Sequence, residues 1–425
     1  MDMTRRLFGA MTKKEIIEAA FTVWGREFYL NTSLSHVASA LGVCKPALYR
    51  HFINKNALLQ AMTRHFFDDW TAFIREDYEK AVNNENKSES IYMLIRSVTE
   101  YYARNVDYFI FSMVQLREDK HSNEDFSQEI RARGIDFGAF HHSISKNYII
   151  DPLIMRLIFT TLTFYMAGFH KTEKTLTKPP TEEAIAKIIT VISIIIEKGM
   201  GFNNKEVDAL DYERLENCIA GIADGIKNDS LLKAVAEAVA EAGPWGASME
   251  QVARRSGLSK SSLYCHFKNK QDMLHQLFMT EALHIIDFAR HGIRQSNVPS
   301  EQLYLGIISI AEYLRSNPDI LVALDWIRTR KLNLPPRDIK EHGPMMKIMR
   351  LFDEIDIKTL KDSDSPFQSV PVADEGNRSI APWILFLIVN TLMRKNRGQS
   401  IGKFINKDIR GLFRFITLGI NGFKN

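Results

Sequence analysis

Ser33–Leu59 has the sequence SLSHVASALGVCKPALYRHFINKNALL, and Ser248–Leu274 has the sequence SMEQVARRSGLSKSSLYCHFKNKQDML. The two stretches are offset by 215 residues and are identical at 12 of 27 positions without a gap. A repeat of this kind indicates that the chain contains one structural unit twice. We call these stretches the first and the second repeat segment.

The first repeat segment has the pattern of two short helices joined by a tight turn. Ser33 is expected to be a helix N-cap, and apolar residues follow it at helical spacing. These residues are Leu34, Val37, Ala38 and Leu41. Gly42 then ends the helix, because the turn needs a residue that tolerates positive φ. In the second helix, Leu48 and Phe52 are four residues apart and are therefore expected to face inward together.

The same pattern predicts which side chains of the second helix point outward. Cys44 begins this helix, and Pro46 is tolerated in its first turn, where the missing N–H has no partner to lose. The second repeat segment has Ser259 as a better N-cap, with Leu263 and Phe267 inward. The outward residues are Lys45, Ala47, Tyr49, Arg50 and His51 in the first segment, and Lys260, Ser262, Tyr264, Cys265 and His266 in the second. Two helices joined at an angle by a glycine-containing turn are typical of a DNA-binding helix-turn-helix.

The residues shared by the two segments resemble the signature of the tetracycline-repressor (TetR) family of transcriptional regulators. They are Gly42, Lys45, Leu48, Tyr49, His51, Phe52 and Lys55, with their counterparts Gly257, Lys260, Leu263, Tyr264, His266, Phe267 and Lys270. The glycine expected after the preceding helix is present in the second copy as Gly243, whereas the first copy has Phe28 there. The resemblance implies that two such units pair through a four-helix bundle made from the last two helices of each. It also implies a ligand cavity in each larger helical region.

Helical periodicity dominates the rest of the chain and predicts an all-α fold. The duplication extends further, since Ser88–Asp107 matches Ser300–Asp319 at 9 of 20 positions. We therefore expect two tandem TetR-like units that form an intramolecular pseudo-dimer, with further oligomerisation left open. The predicted domains are a helix-turn-helix domain (1–60), a helical regulatory domain (61–203), a linker (204–228), a second helix-turn-helix domain (229–275) and a second helical regulatory domain (276–425). The predicted bundle helices are Asp151–Phe169, Glu182–Lys198, Ile380–Arg397 and Gly402–Leu418.

Four other segments have recognisable local patterns. The arm Met1–Thr12 is expected to be loose, with Arg5 and Arg6 able to reach a minor groove. Ala57–Ala81 is predicted to be one long amphipathic helix. Its apolar face comprises Leu58, Met62, Phe66, Trp70, Phe73 and Ile74. Leu210–Ile226 is a candidate connecting helix within the linker, and Lys361–Arg378 is predicted to be a loop.

Composition limits the class of protein. The chain has 425 residues, a net charge of +4, 45% apolar residues and 25% charged residues, as expected of a soluble globular protein. Its most apolar runs, Leu157–Phe169 and Ile188–Ile196, are shorter than the roughly 20 residues that cross a bilayer. Three separate cysteines favour a reducing, cytoplasmic compartment over a disulfide framework or a zinc site. The chain lacks Gly-rich phosphate loops and hydrolase motifs, so neither an enzyme nor a cofactor is expected.

Basic, aromatic and hydroxyl side chains of both repeat segments are predicted to contact double-stranded DNA. Those expected at phosphates are Lys45, Tyr49, His51, Lys55, Lys260, Tyr264, His266 and Lys270, together with Ser33 and Ser248. Ala47, Arg50 and Ser262 are the candidates for base edges. Arginine can form two hydrogen bonds with guanine, which Cys265 at the position equivalent to Arg50 cannot. Because the two repeat segments on this one chain differ, we expect an operator that is asymmetric or imperfectly palindromic.

Aromatic residues and methionines are candidates for lining a cavity that binds a hydrophobic or aromatic effector. In the first half they are Phe109, Phe111, Met113, Phe137, Phe140, Phe159, Phe164, Tyr165 and Phe169. In the second half they are Trp326, Met345, Met349, Trp383 and Phe386. Such residues at helical spacing are more often part of a core than of a cavity. His121, His141, His142 and His170 lack the i,i+4 spacing of a helical metal site, so solvated histidines are the default expectation.

Three alternatives stay open from the sequence. A helix-turn-helix pattern in a helical protein is sometimes only a helical corner, although two copies make that less plausible. The chain is alternatively a helical scaffold or small-molecule sensor that has lost DNA binding. Cys44 and Cys265 lie in the two outward helices, where a redox switch and the simple presence of small residues are both compatible with the pattern.

Overall fold

The computed structural model describes residues 12–27, 33–118, 122–149, 151–220, 229–330, 344–357, 380–393 and 405–424. These ranges contain helices, turns and one isolated β-bridge between Tyr148 and Lys424, and no strand. The all-α prediction is confirmed for them. The predicted arm, Phe28, the 361–378 loop and His121 lie outside the described residues.

Ten helices belong to the first half of the sequence and eleven to the remainder of the described chain. The first ten are α1 (Lys13–Glu27), α2 (Leu34–Ala40), α3 (Lys45–Tyr49), α4 (Lys55–Asn83), α5 (Lys87–Arg104), α6 (Val106–Glu118), α7 (Ser122–Ala132), α8 (Phe137–Ile144), α9 (Pro152–Thr172) and α10 (Glu182–Lys198). They are followed by α11 (Asn204–Asp208), α12 (Tyr212–Ile219), α13 (Ser230–Gly246), α14 (Met249–Ser256), α15 (Lys260–His266), α16 (Lys270–Ile293), α17 (Pro299–Ser316), α18 (Pro318–Arg330), α19 (Pro344–Met349), α20 (Ala381–Met393) and α21 (Ile405–Leu418). A short 3-10 helix, Gly419–Phe423, follows α21.

The chain divides into two compact units. Unit 1 comprises residues 1–147 and 168–193, and unit 2 comprises residues 148–167 and 194–425. Each unit contains one repeat segment. Unit 2 also contains most of α9 and the end of α10, which the sequence repeat assigns to the first half.

The long helix α4 organises the core of unit 1. It begins at Lys55 because the Asn54 side chain accepts a hydrogen bond from the backbone N–H of Ala57. The predicted bounds, Ala57–Ala81, are therefore short by two residues at each end. Phe66 and Trp70 are fully buried on this helix, but Phe73 is 41% exposed, so its predicted place on the buried face is wrong. The reason is geometric: Phe73 lies at the edge of the apolar stripe, where its ring packs against that of Tyr101 with the centroids 5.3 Å apart.

Unit 2 contains a cluster formed by the predicted bundle helices of both sequence halves. Trp383 Nε1 on α20 donates a hydrogen bond to Thr161 Oγ1 on α9 at 3.1 Å. The Phe164 and Phe386 rings lie 5.4 Å apart. At the other end, the backbone N–H of Met200 donates to the carbonyl of Ile416 at 2.8 Å. Helices from both halves therefore share one apolar core within this unit.

A glycine permits the close backbone approach at the end of this cluster. Gly199 has φ +56°, and a Cβ atom on it would lie 2.5 Å from the carbonyl oxygen of Ile416. A side chain here would therefore clash with backbone as well as strain the turn. α10 has the predicted bounds, α9 extends past the predicted Phe169 to Thr172, and α20 begins one residue after the predicted Ile380.

The linker is anchored to the second sequence half through Glu216 on α12. Arg410 on α21 donates to both carboxylate oxygens of Glu216, at 2.7 and 2.8 Å. The hydroxyl of Tyr304 donates to the same carboxylate at 2.6 Å, and the side chain of Asn406 does so at 2.7 Å. The predicted connecting helix Leu210–Ile226 is described only as Tyr212–Ile219, since residues 221–228 lie outside the described ranges.

Helix α9 is longer than the apolar run predicted from the sequence. With 21 residues and a mean hydropathy of 1.4, it has the length and composition that could cross a membrane. However, 61% of its most apolar window is buried within the protein, as is usual for a core helix.

Candidate DNA-binding surfaces

The first repeat segment folds as the sequence predicts. Ser33 caps α2, its side chain accepting a hydrogen bond from the backbone N–H of His36 at 3.3 Å. Gly42 has φ +65° in the turn, and the adjacent backbone N–H of Val43 donates to the carbonyl of Ala38 at 2.9 Å. Leu48 on α3 is fully buried. The recognition helix α3 is thus fixed by one buried leucine and a closed turn.

The second repeat segment has the same frame with stronger caps. Ser248 and Gln251 form a capping box at the start of α14. Gly257 ends this helix in the left-handed conformation, with φ +69°. Ser259 caps the second recognition helix, α15, through a hydrogen bond from the backbone N–H of Ser262 at 3.0 Å. Gly243 has φ +71°, so the glycine expected after the preceding helix occupies a position that favours glycine.

Both recognition helices expose the side chains that the sequence assigns to DNA. Tyr49 is 51% exposed and Tyr264 is 49% exposed, which is unusual for aromatic residues on short helices with a buried core face. Lys45, Arg50, His51, Lys260, Ser262 and His266 are exposed, Ala47 is half-buried, and Leu263 and Phe267 are buried. In each segment the structure therefore separates a buried anchor from an exposed polar surface on the same helix.

Lys55 and Lys270 begin the long helices α4 and α16, immediately after each recognition helix. Asn54 and Asn269 cap these helices through side-chain oxygens that accept from backbone N–H groups. Partial burial lowers the pKa of Lys55 and also that of Lys270. A lysine in the first turn of a helix lies beside exposed N–H groups, and together they favour an anion such as phosphate.

Ser33 and Ser248 are predicted phosphate contacts, but both hydroxyl oxygens already accept capping hydrogen bonds. Each hydroxyl retains its proton as a donor, so a contact with a phosphate oxygen remains compatible with the cap. The hydroxyl oxygens of Ser262 and Ser259 lie 2.8 Å apart, which orients the predicted base contact Ser262 toward the start of α15.

The two surfaces differ at the positions of Arg50 and Cys265. Arg50 is exposed at the end of α3. Cys265 is also exposed, but its thiol lies 3.7 Å from the carbonyl oxygen of Ser261 within its own helix. The N-caps differ as well, because Cys44 makes no side-chain capping bond to α3. The second segment thus has the better-capped helix, but at the position of Arg50 it has a cysteine, which cannot form two hydrogen bonds with a base.

Sequence reasoning missed one candidate contact in the second segment. Lys268 is exposed in the turn between α15 and α16, at the position where the first segment has Ile53. Ile53 is 79% exposed, the most exposed large apolar residue of the described chain. The aligned segments contain this lysine–isoleucine difference, but only the structure shows that both side chains face solvent beside the recognition helices.

Nearby acidic groups limit which cations can contact DNA. Arg255 forms an ion pair with Glu241 and lies 3.7 Å from Glu237. Hydrogen bonds from the Lys268 backbone N–H and the Gln276 side chain lower the pKa of Asp272. These pairs engage Arg255 and Asp272 within the protein, so the exposed lysines are the more available partners for phosphate.

The described residues predicted to line ligand cavities are buried or half-buried. Phe109, Phe111, Phe140, Tyr165, Phe169 and Trp383 are buried, and Met113, Phe137, Phe159, Phe164, Met349 and Phe386 are half-buried. The side chains of Trp326 and Met345 lie outside the described residues. The Phe109 ring packs against the rings of Tyr102 and His170 at 5.5 and 5.0 Å. A role for this set in ligand binding stays a prediction.

His170 is not solvated, contrary to the default expectation for the histidines. It is only 4% exposed, and its Nδ1 lies 2.7 Å from Thr175 Oγ1. Burial lowers its pKa to about 3, so the ring is neutral at physiological pH. His170 lies on the apolar face of α9, where the surrounding rings exclude water. The half-buried His141 and the exposed His142 are closer to the expectation.

Comparison with known proteins agrees with this geometry. The model of the bacterial regulatory proteins of the tetR family matches residues 16–62 and residues 231–277. The chain contains two tetR-family DNA-binding domains in tandem. The chain is also similar to the fatty acid metabolism regulator protein of Bacillus subtilis (strain 168), with 27% identity over 107 residues. That similarity covers 25% of this chain and 55% of the relative, so the chain spans about half of the relative's length.

The two tetR-family matches begin in α1 and α13 and end in the early turns of α4 and α16. They contain every residue of the two repeat segments that the sequence analysis assigns to DNA, but not Arg5 and Arg6 of the N-terminal arm, and none of the residues that it assigns to a ligand cavity. The family resemblance therefore rests on the DNA-binding parts of both halves. The individual residue roles remain predictions.

Proposed function

We propose that this chain is a ligand-responsive transcriptional regulator, acting as a repressor in the cytoplasm, which binds one DNA operator through both repeat segments. The supporting observation is that α15, and α3 with the two residues after it, expose equivalent lysine, tyrosine and histidine side chains, and that a buried leucine anchors each helix. The two tetR-family matches support DNA binding as such. The operator and the direction of regulation are specific to this proposal.

We propose that most of the exposed groups bind the phosphate backbone. Lys45, Tyr49, His51 and Lys55 do so in the first segment, and Lys260, Tyr264, His266 and Lys270 in the second. Lysine contacts with phosphate release counterions, so binding is expected to weaken steeply as salt concentration rises. These contacts set the register of each helix in its groove and carry no sequence information themselves.

Sequence recognition is proposed to differ between the two segments. Arg50 is proposed to form two hydrogen bonds with guanine in the major groove, with Ala47 against a neighbouring base. In the second segment, Ser262 is the base-contacting candidate, and Cys265 takes the place of the arginine. The operator is therefore proposed to contain two unlike half-sites, with guanine in the one bound by α3.

The pairing of the two halves is proposed to replace the dimer that one-unit relatives form. Bundle helices from both halves share a core within unit 2, including the contacts of Thr161 with Trp383 and of Phe164 with Phe386. Covalent linkage makes such pairing unimolecular, with an effective concentration on the order of millimolar. A chain built this way is free to hold two unlike DNA-binding segments.

A hydrophobic or aromatic small molecule is proposed as the effector that releases DNA. The aromatic clusters in the regulatory helices would suit an apolar ligand better than a charged one. The relative's role in fatty acid metabolism is in keeping with an apolar effector. We accordingly propose regulation of genes for lipid or related apolar metabolites.

Selection from a library of random duplexes with the full-length chain tests the proposal. We expect enrichment of one sequence with two unlike half-sites, and we expect Arg50→Ala to relax selection in one half-site only. Cys265→Ala is the matched control in the second segment. Failure to enrich any sequence, combined with binding that does not respond to salt, would contradict DNA recognition and favour the helical scaffold or sensor instead.

A further inference from the structure

Unit 2 contains a cavity, lined by both polar and apolar side chains, that the proposed function does not use. Its volume is about 250 Å³, and it lies between α13, α16 and the junction of α17 with α18. Ala236, Glu281 and Ile320 form a buried floor, whereas Lys233 lies at an exposed rim. This volume exceeds the roughly 150 Å³ of an engineered cavity that binds benzene, and it is smaller than most drug-sized pockets.

The equivalent place in the first half is filled by aromatic rings. In the alignment of the two halves, Phe21, Phe66 and Tyr108 correspond to Ala236, Glu281 and Ile320. The Phe21 and Tyr108 rings pack at 4.3 Å, and the Phe66 and Tyr108 rings at 6.4 Å. We call these three residues the aromatic plug. In the second half, alanine and isoleucine stand in place of two of these three rings, which leaves space. The carboxylate of Glu281 stands in place of the third ring.

Glu281 is buried to a degree that is unusual for a carboxylate, and its basic partner is a histidine rather than a lysine or an arginine. It is 5% exposed, and the hydroxyl of Tyr313 donates a hydrogen bond to its Oε2. His284 Nδ1 lies 3.6 Å from the same oxygen. Within the described residues, no hydrogen bond reaches Oε1. A buried carboxylate is costly unless its oxygens are satisfied, so this arrangement leaves one acceptor for a bound molecule.

The balance of charge in the cavity favours a cation. Three carboxylates line the cavity, those of Asp229, Glu281 and Asp319. Burial and the nearby Glu237 raise the pKa of Asp319, although Lys233 and Arg255 act in the opposite direction. Two basic side chains also line the cavity. Lys233 lies at the exposed rim, where water and salt screen its charge. His284 lies against Glu281, whose carboxylate raises the pKa of this histidine. Three carboxylates against two basic groups make the lining net negative, and interactions with the buried Glu281 are screened least.

We propose that this cavity binds a small organic cation, a primary ammonium compound of up to roughly ten non-hydrogen atoms. Its ammonium group donates to Glu281 and Asp319, and its short alkyl part fills the space that the aromatic plug occupies in the first half. The proposal does not depend on DNA recognition, because binding is measured on the free protein. If the proposed function also holds, the bound cation contacts α13 and acts on the second repeat segment alone.

Isothermal titration calorimetry of the full-length chain with butylammonium chloride tests this site, with sodium butyrate and 1-butanol as probes of the same length. We expect saturable binding of one butylammonium ion per chain and no saturation by the other two. Glu281→Gln removes the buried charge and should weaken binding by roughly 30-fold or more. Lys233→Met removes the competing cation and should strengthen it.

Two cavity variants separate the site from nonspecific effects. Ala236→Phe restores part of the aromatic plug and should abolish butylammonium binding while leaving the helical circular dichroism unchanged. The matched first-half variant, Phe21→Ala, opens an apolar space without a carboxylate and should bind no butylammonium. Binding of butyrate in preference to butylammonium, unchanged binding in both Ala236→Phe and Glu281→Gln, or no saturable heat with any probe would overturn the proposal.

Discussion

The two halves of the chain keep the same buried frame but use different residues around it. Leu48 and Leu263 are both fully buried, and Gly42 and Gly257 both have positive φ. Around this frame, the first half has an aromatic plug where the second has a cavity with a buried carboxylate. Duplication within one chain therefore permits each copy to change its contacts separately, which two copies of one identical subunit cannot do.

The largest effect is expected from exchanging one residue of the plug with its counterpart. Phe66→Glu places a carboxylate among the rings of Phe67, Tyr108 and Phe111, and should destabilise unit 1 by about 3–5 kcal/mol. Glu281→Phe fills existing space and should cost less than about 1.5 kcal/mol. Urea unfolding of both variants, followed by circular dichroism, measures the difference. Equal losses of unfolding free energy would contradict the difference in packing between the aromatic plug and the cavity around Glu281.

The linker anchor tests whether the second half depends on contacts outside the repeat. Glu216→Gln weakens the hydrogen bonds from Arg410 and should destabilise unit 2 by about 1.5–3 kcal/mol. Burial raises the pKa of Glu216, but hydrogen bonds from Arg410, Tyr304 and Asn406 lower it by more. The pKa of Glu216 is therefore below its ordinary value. This stabilisation is therefore present above the pKa of Glu in the unfolded chain and is lost as pH falls through the folded-state pKa.

The matched control for the anchor is Glu213→Gln, because Glu213 is exposed on the same helix. It should change the free energy of unfolding by less than about 0.5 kcal/mol at any pH. Unfolding of both variants at pH 7 and at pH 4 gives the comparison. A pH-independent loss for Glu216→Gln would contradict an ionised Glu216 in the folded protein.

Arg50 and Cys265 compare the two recognition helices directly. Arg50→Ala should cost about 1–3 kcal/mol on the preferred base and relax specificity there. Cys265→Ala should change affinity by less than about 0.5 kcal/mol, because a thiol makes weak hydrogen bonds. Fluorescence anisotropy with a selected operator and with single-base variants measures both. A larger loss for Cys265→Ala would reverse the assignment of the stronger base contact.

The exposed turn residues compare the two segments in electrostatic terms. Lys268→Ile should flatten the dependence of log affinity on log salt by about 0.9, as expected for the loss of one phosphate contact. Ile53→Lys should steepen it by a similar amount. Anisotropy titrations between 50 and 200 mM salt follow both slopes. Unchanged slopes would indicate that this turn lies away from the duplex.

The smallest effect concerns helix capping. Cys44→Ser supplies the side-chain cap that α3 lacks and should stabilise the first segment by about 0.5–1 kcal/mol. Ser259→Ala removes the corresponding cap of α15 and should destabilise the second segment by about 1 kcal/mol. Amide hydrogen exchange of the two recognition helices measures these local changes. If amide exchange became slower in both variants, or faster in both, the proposed difference between the caps of α3 and α15 would be contradicted.

The sequence alone was sufficient to predict the helix-turn-helix frames, because their signals are local. The N-caps Ser33 and Ser259, the turn glycine Gly42 and the inward pair Leu48 and Phe52 all act within a few residues, and the structure shows each in the expected conformation. The bounds of α10 follow for the same reason, since its apolar run is flanked by charged residues.

Features that depend on packing between distant helices were not predictable in this way. The cavity brings α13, α16 and α18 together, and no periodicity within one helix shows that Ala236 faces Glu281. The burial of His170 likewise depends on rings from α6 and α9. Lys268 was missed because a charged residue in a turn is ordinary until its neighbours are known to expose the recognition helix.

The measurement that most directly tests two unlike DNA-binding segments on one chain is the stoichiometry and symmetry of the operator complex. Mass photometry gives the number of chains per selected duplex, and hydroxyl-radical footprinting with each half-site scrambled in turn gives the symmetry. We expect one chain per duplex, protection of two half-sites of different sequence, and unequal losses when each is scrambled. Two chains on a perfect palindrome, with equal losses from either half-site, would contradict the central claim.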